Sequence, residues 1–254
     1  MMQQDNVVRE QQDFDIDLVI SVCDESACVD TGLLLHIDCI GNIYRYNLIC
    51  SADTLLQHFP NALHYLDHFW ILLPTSIKEQ RVLWREFYRL YSPIYNQLIN
   101  RPHNLLCLRY FKQLLKEKLS TTMNQRLLDF GCGVGLSADI FDPAKLVCYD
   151  SNEVMQHSSR ERGLVTINEL QFRDLAPNSF DGCFACYVLH LAISIDDLNQ
   201  LARVLRKGGV IIANYYKGIH ADRVNRIFRE NGLTVEQIED QQGRFGSIYV
   251  YRKL

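Results

Sequence analysis

RLLDFGCGVG, residues Arg126 to Gly135, decides how this chain is read. A short apolar run carrying Asp129 has the composition of a strand, and three alternate glycines, Gly131, Gly133 and Gly135, follow it directly. Glycines let a backbone turn sharply and let a ligand approach where a Cβ would clash. A helix N-terminus after such a loop offers free N–H groups and a dipole that favours a negative ligand group. Further on, LVCYD (146–150) reads as a second strand that ends in the carboxylate of Asp150. At that place in an open α/β sheet a carboxylate can accept from both hydroxyls of a ribose.

The rhythm of strand and helix continues to the C-terminus through FDGCFACYVL, GGVIIANYY, LTVEQIE and GSIYVYRKL, which implies an α/β sheet with crossover connections. Between the third and fourth of these strands the pattern predicts a helix capped by Ser194 or Asp196. Leu198, Leu201, Val204 and Leu205 line one of its faces, Arg206 and Lys207 occupy its last turn, and Gly208 stops it. The last two strands read as a terminal pair. The stretch between Gly135 and Asp150 leaves room for only a stunted first helix.

The glycine spacing is G-x-G-x-G, which is neither the dinucleotide fingerprint nor a phosphate-binding loop followed by lysine. In this order of motifs the sequence resembles the class I S-adenosylmethionine-dependent methyltransferases. D-x-G-x-G-x-G at 129–135 matches their first motif, and Asp150 matches the acidic residue that ends their second strand. Asn152, Glu153, Val154 and Met155 continue as their next helix does. Ser179 to Gly182 and Tyr187 to His190 resemble their fourth strand and the segment after it, and Leu201 to Gly209 the helix and turn before their fifth. The resemblance covers about residues 126–254. It implies a Rossmann-like, seven-stranded, mostly parallel sheet with helices on both faces, and S-adenosylmethionine as cofactor with S-adenosylhomocysteine as product. By the same resemblance Asp129, Gly131, Cys132, Gly133 and Gly135 would hold the methionine portion, and Asp150 with Ser151 the ribose. Glu169 and Asp174 compete for the adenine contact. Asp181 is read as structural, and Cys132 and Cys148 as small core residues.

Upstream, LLLHIDCI-GN-IYRYNLI (33–49) predicts a β-hairpin turning at Gly41-Asn42. The register pairs Cys39 with Tyr44, Ile37 with Tyr46 and Leu35 with Leu48 on an apolar face, and Asp38 with Arg45 and His36 with Asn47 on a polar one. FDIDLVISV supplies a third strand. EQRVLWREFYRLY places Trp84, Phe87, Tyr88 and Tyr91 on one face of a helix. Ser92-Pro93 then ends that helix and starts the next, and a further amphipathic helix runs over Leu105–Leu119. The expected organisation is an N-terminal α+β extension, with a hairpin-containing region at 1–80 and a helical lid or linker at 81–120, followed by the cofactor-binding domain at 121–254.

The chain has 254 residues, 48% of them hydrophobic, and a net charge of −4. No basic stripe marks a nucleic-acid surface, and no run approaches the ~20 apolar residues that span a bilayer. The polar N-terminus lacks a secretory pattern, and nine scattered cysteines read as reduced thiols, so a cytoplasmic location is expected. Cys183 and Cys186 lie three apart in a strand-like run and cannot jointly grip a metal; no metal site is expected. A homodimer through the N-terminal region is a further expectation, because an uncovered strand edge invites pairing.

The leading function is methyl transfer to a small-molecule acceptor. His190, Tyr187 and Tyr216 are candidates for catalysis, with Tyr187 also able to face the sulfonium. Asn214 and Tyr215 are candidates for orienting the acceptor, and Tyr88, Tyr91 and Tyr95 for the lid. Two other classes stay open. The same fold can let the cofactor's aminobutyl chain cyclise and release methylthioadenosine, or the protein can bind the nucleoside without turnover.

Overall fold

Runs of β-branched and aromatic residues with few turn formers build the strands of this protein, and amphipathic runs punctuated by Asn, Ser and Pro build its helices. The computed structural model describes residues 16–21, 34–40, 43–48, 52–66, 69–119, 125–238 and 243–254. They fall into two compact units, residues 1–86 and 87–254.

The first unit contains β1 (Ile16–Ser21), β2 (Leu34–Ile40), β3 (Ile43–Leu48), α1 (Ala52–His58), β4 (Ala62–Tyr65), β5 (Phe69–Leu72) and most of α2 (Ile77–Tyr91). Its five strands are ordered β2-β3-β1-β5-β4, with β1 and β5 parallel. The expected third strand is β1, paired antiparallel with β3. The hairpin register agrees with expectation at Cys39↔Tyr44, Ile37↔Tyr46, Asp38↔Arg45 and His36↔Asn47. It departs at the open end, where a register shift between Leu34 and His36 brings Leu34, rather than Leu35, opposite Leu48. The Gly41-Asn42 turn and the environment of the His36 side chain lie outside the described residues. Leu55, Leu63, Tyr65, Ile71, Leu83 and Trp84 are buried, with the Tyr65 and Trp84 rings 4.9 Å apart.

In the second unit, the end of α2 leads through a 3-10 turn at Ser92–Ile94 into the single-turn helix α3 (Tyr95–Leu98) and the long helix α4 (Arg101–Lys118). Ser92 therefore does not cap a helix: it is buried inside the turn, and the residue that caps is Asn100, whose side chain accepts from the His103 N–H at 3.2 Å. Pro102 occupies the first turn of α4, where its missing N–H costs nothing. The helix starts at Arg101 rather than Leu105 because its first turn, Arg-Pro-His-Asn, is polar and invisible to apolar periodicity.

β6 (Leu127–Phe130), β7 (Leu146–Tyr149), α5 (Glu153–Glu161), β8 (Val165–Ile167), α6 (Glu169–Arg173), β9 (Phe180–Ala185), α7 (Ile195–Val204), β10 (Leu205–Tyr215), α8 (Ala221–Glu230), β11 (Leu233–Ile238) and β12 (Ser247–Lys253) complete the unit. The sheet has seven strands ordered β11-β12-β10-β9-β6-β7-β8, in which β12 alone runs antiparallel to both its neighbours. This is the Rossmann-like α/β sheet expected. β7 and β9 are buried at every position, as strands covered by helices on both faces must be. From β6 the chain builds outward through β7 and β8, then returns to β9 on the other flank of β6. That reversal opens a crevice beyond the C-terminal ends of β6 and β9, where ligands bind in open α/β sheets.

One local expectation is corrected here. α7 is capped by Ser194, whose hydroxyl accepts from the Asp197 N–H at 3.0 Å, but it ends at Val204 and not at Gly208. Lys253 terminates it from a distant strand, donating to the carbonyls of Ala202 at 3.0 Å and Leu205 at 2.7 Å. Arg206 is drawn away by Asp181, with which it forms an ion pair, and Gly208 takes a positive φ in the irregular start of β10. Asp181 also accepts from the Arg126 N–H at 2.6 Å, the structural role expected of it. Between Gly135 and Asp150 only two 3-10 turns form, Leu136–Asp139 and Pro143–Lys145. Among the described residues no helix is long and apolar enough to cross a membrane, and no group of His, Cys, Asp and Glu could hold a metal.

Candidate active site

The crevice at the reversal point is an open cleft with about 420 Å³ of empty space. Its floor is Asp129, Gly131, Cys132, Gly133, Val134, Leu136 and Ser137, at and after the end of β6. Cys186, just past β9, forms one wall, and Tyr95, Ile99, Asn104 and Leu108 from α3 and α4 form the other. The cleft thus lies wholly within the second unit.

The glycine loop is built by three different constraints. At Gly131 a Cβ would stand 2.5 Å from Val188 Cγ2, so packing alone demands glycine. At Gly135 it would stand 3.0 Å from the Ser159 Cα. At Gly133 the nearest atom would be Tyr95 Cε1 at 3.8 Å, so the space that glycine leaves there faces the cleft. The loop is tied down by Arg162, which donates to the Gly135 carbonyl at 2.9 Å and pairs with Asp139 at 2.5 Å.

Two carboxylates flank the loop. Asp150 accepts from the Gly133 N–H and the Asn152 N–H, each at 2.9 Å, one on each oxygen. Burial raises its pKa, and the backbone N–H groups of Asn152, Gly133 and Ser151 oppose that rise. Asp129 is only 3% exposed. Burial pushes its carboxyl up to about 7, against a hydrogen bond from Ser137 and with a smaller contribution from Asp150. A carboxyl poised near neutrality at the floor of a cleft is one a cationic ligand group can ionise.

The other expected site residues are distributed less simply. Tyr95 lies at the cleft, its ring 5.7 Å from that of Tyr88; Tyr91 packs instead on Phe87 at 4.9 Å. Tyr187 follows Cys186 and adopts a left-handed φ of 56°, held there by its N–H donating to Asn214 Oδ1 at 2.7 Å. Its hydroxyl lies 2.8 Å from His103 Nε2. Glu169 is exposed and paired with Arg173 at 2.5 Å, and Asp174 is an exposed helix-end residue. Ser151 is exposed beside Asp150. His190 is 1% exposed, and burial, with His220 nearby, holds its pKa down to about 3. Tyr216 approaches it, with ring centroids 6.1 Å apart.

Two expectations are overturned by packing. Asn214 is fully buried, and its amide is consumed by Tyr187, the Phe245 carbonyl at 2.9 Å and Cys107, so it cannot orient an acceptor. Tyr215 turns its hydroxyl into the core, 2.7 Å from that of Tyr251, which in turn donates to Asn225. Sequence reading missed Ile99, Asn104, Leu108, Val134, Leu136, Ser137 and Cys186 at the cleft. Asn104 and Leu108 are four apart on α4, a spacing that puts them on one face, but nothing in the sequence says which face meets the glycine loop.

Residues 128–213 match the family model described as a methyltransferase domain. No curated protein sequence matches the chain. Solved structures to which it is similar include a TehB-like S-adenosylmethionine-dependent methyltransferase from Corynebacterium glutamicum, at 16% identity over 65% of this chain and 100% of that one, with a TM-score of 0.49. The CurJ carbon methyltransferase is 12% identical over 88% of this chain and 77% of that one, with a TM-score of 0.48. DesVI of Streptomyces venezuelae is 14% identical over 59% and 92%, with a TM-score of 0.46. The family match places a methyltransferase domain over residues 128–213, within the Rossmann-like seven-stranded sheet. S-adenosylmethionine is its cofactor, and the open face at Gly133 between the carboxylates of Asp129 and Asp150 fits that molecule.

Proposed function

We propose that this protein transfers the methyl group of S-adenosylmethionine to a small-molecule acceptor. The observation that carries this reading is the cleft itself: a glycine loop between Asp129 and Asp150, walled by side chains of α3 and α4. Asp129 and the loop N–H groups would hold the aminobutyl end, and Asp150 the ribose hydroxyls, with lone pairs left after it accepts from Gly133 and Asn152. The cofactor supplies a methyl group on a sulfonium, so the chain's task is to align an acceptor with that carbon and exclude water. Tyr95, Ile99, Asn104 and Leu108 wall the cleft beside the glycine loop. Of the candidates for catalysis, Tyr187 directly follows the cleft residue Cys186, with its hydroxyl 2.8 Å from His103 Nε2.

The test is to supply the protein and methyl-labelled S-adenosylmethionine to a cell extract and then separate small molecules from precipitable protein and nucleic acid. Label in the small-molecule fraction supports the reading, and label confined to the precipitate overturns it. Incubation with the cofactor alone separates the remaining chemistry: methylthioadenosine above the spontaneous background would mean that the aminobutyl chain is consumed instead.

A further inference from the structure

The cleft contains one aromatic ring among its lining residues, that of Tyr95. The ring stands over Gly133, its Cε1 3.8 Å from where a Cβ would be. It is held there from three directions. Tyr88 packs against it and hydrogen-bonds its hydroxyl. The Ser92–Ile94 turn that precedes it packs on α5, and Ile99, just after α3, is buried. Burial keeps the Tyr95 phenol protonated, so the ring stays neutral and its π-system electron-rich. Asp150 and Cys186 are both close enough to act on its hydroxyl electrostatically.

That position has a chemical meaning if the cofactor lies as proposed above, on which this inference rests. The sulfonium is the covalent junction between the aminobutyl chain and the ribose. With Asp129 holding the first and Asp150 the second, the charged sulfur falls between them, beside Gly133. A cation beside an aromatic face is attracted by the ring quadrupole, and a neutral thioether is not. We propose that Tyr95 reads the charge on the cofactor's sulfur, raising the affinity for S-adenosylmethionine relative to S-adenosylhomocysteine and so favouring release of the spent cofactor.

A ring that served only as a cover would act differently. It would exclude water over substrate and product nucleosides alike, and its loss would weaken both by the same factor. Charge reading acts on the ratio of the two affinities. For a partly buried cation–π contact the expected effect on that ratio is roughly three- to thirty-fold.

The experiment is isothermal titration of the full chain with each nucleoside separately. Tyr95→Phe keeps the ring and should keep the wild-type ratio. Tyr95→Leu should lower the ratio by about three- to thirty-fold, with the loss falling on S-adenosylmethionine. Tyr95→pentafluorophenylalanine preserves the ring's shape and inverts the charge of its face. It should lower the ratio too, and it keeps the test decisive should the leucine variant fold poorly. Equal losses for both nucleosides in the ring-altered variants would overturn the inference while leaving the cofactor reading intact. A wild-type chain that binds neither nucleoside would overturn both.

Discussion

Asp129 carries opposite demands from folding and from binding. Its folded pKa is raised from 3.8 to about 7, so the folded state holds a proton that the unfolded chain releases. Its contribution to stability is therefore lost as pH rises from 3.8 through 7, by on the order of a few kcal/mol. Asp129→Asn should raise the melting temperature of the free protein at about pH 8 and cost at least about tenfold in S-adenosylmethionine affinity, since the amide cannot pair with a cation. The wild-type affinity should climb as pH rises through 7, with protons released on binding, and the variant should lose that climb; titrations in buffers of different ionisation heat would show both. Gly133→Ala tests the other side of the same site. Its φ of 53° strains any L-residue by about 1 kcal/mol, yet no atom lies closer than 3.8 Å, so the variant should fold and lose most of its cofactor affinity. Normal binding by a folded Gly133→Ala would remove Gly133 from the ligand surface. Both residues stood out in the sequence; that Gly131 is glycine because of Val188 did not, since the two are 57 positions apart by subtraction of their numbers.

Among the elements, α4 couples local folding to the site most directly, because it carries Asn104 and Leu108 into the cleft. Its start depends on the bond between the Asn100 side chain and the His103 N–H. Asn100→Ala should lower stability to urea by about 1 kcal/mol, the usual cost of a lost N-cap. It should also weaken cofactor binding modestly, through fraying of the turn before Asn104. An unchanged urea midpoint would show that packing against the sheet alone holds the helix. The element also shows what sequence patterning misses. Periodicity finds the apolar stretch of α4 but not its polar first turn, and it placed the end of α7 at Gly208 because a local glycine is a stronger signal than a lysine on the last strand.

For the molecule as a whole, acid stability should be governed by His190, which is buried in the neutral form. Its folded pKa is held to about 3, below the ordinary histidine value of 6.5, chiefly by burial and then by the charge of His220. The unfolded chain takes up a proton below 6.5 and the folded one does not until about 3, so stability falls as pH drops through that window, by on the order of a few kcal/mol. His190→Gln should flatten the dependence of the urea midpoint on pH between about 6.5 and 4. A slope equal to that of the wild type would assign acid unfolding to other groups.

The sequence by itself determined the class of this protein. An apolar strand, alternate glycines and a second strand ending in Asp150 are local features, set by backbone freedom and strand composition over a few residues, and their order along the chain specifies the sheet. The β2–β3 hairpin of the first unit could be paired from its alternation in the same way. Only the tertiary structure decided which side chains meet at the site. Tyr95, Asn104 and Cys186 converge on the glycine loop because α3 and α4 pack across the reversal point of the sheet, and such packing depends on contacts between segments far apart in sequence. α4 meets Asn214 through Cys107, whereas Tyr251 and, beyond it, Asn225 of α8 take up Tyr215: strand alternation names two faces but does not say which one a distant helix will cover.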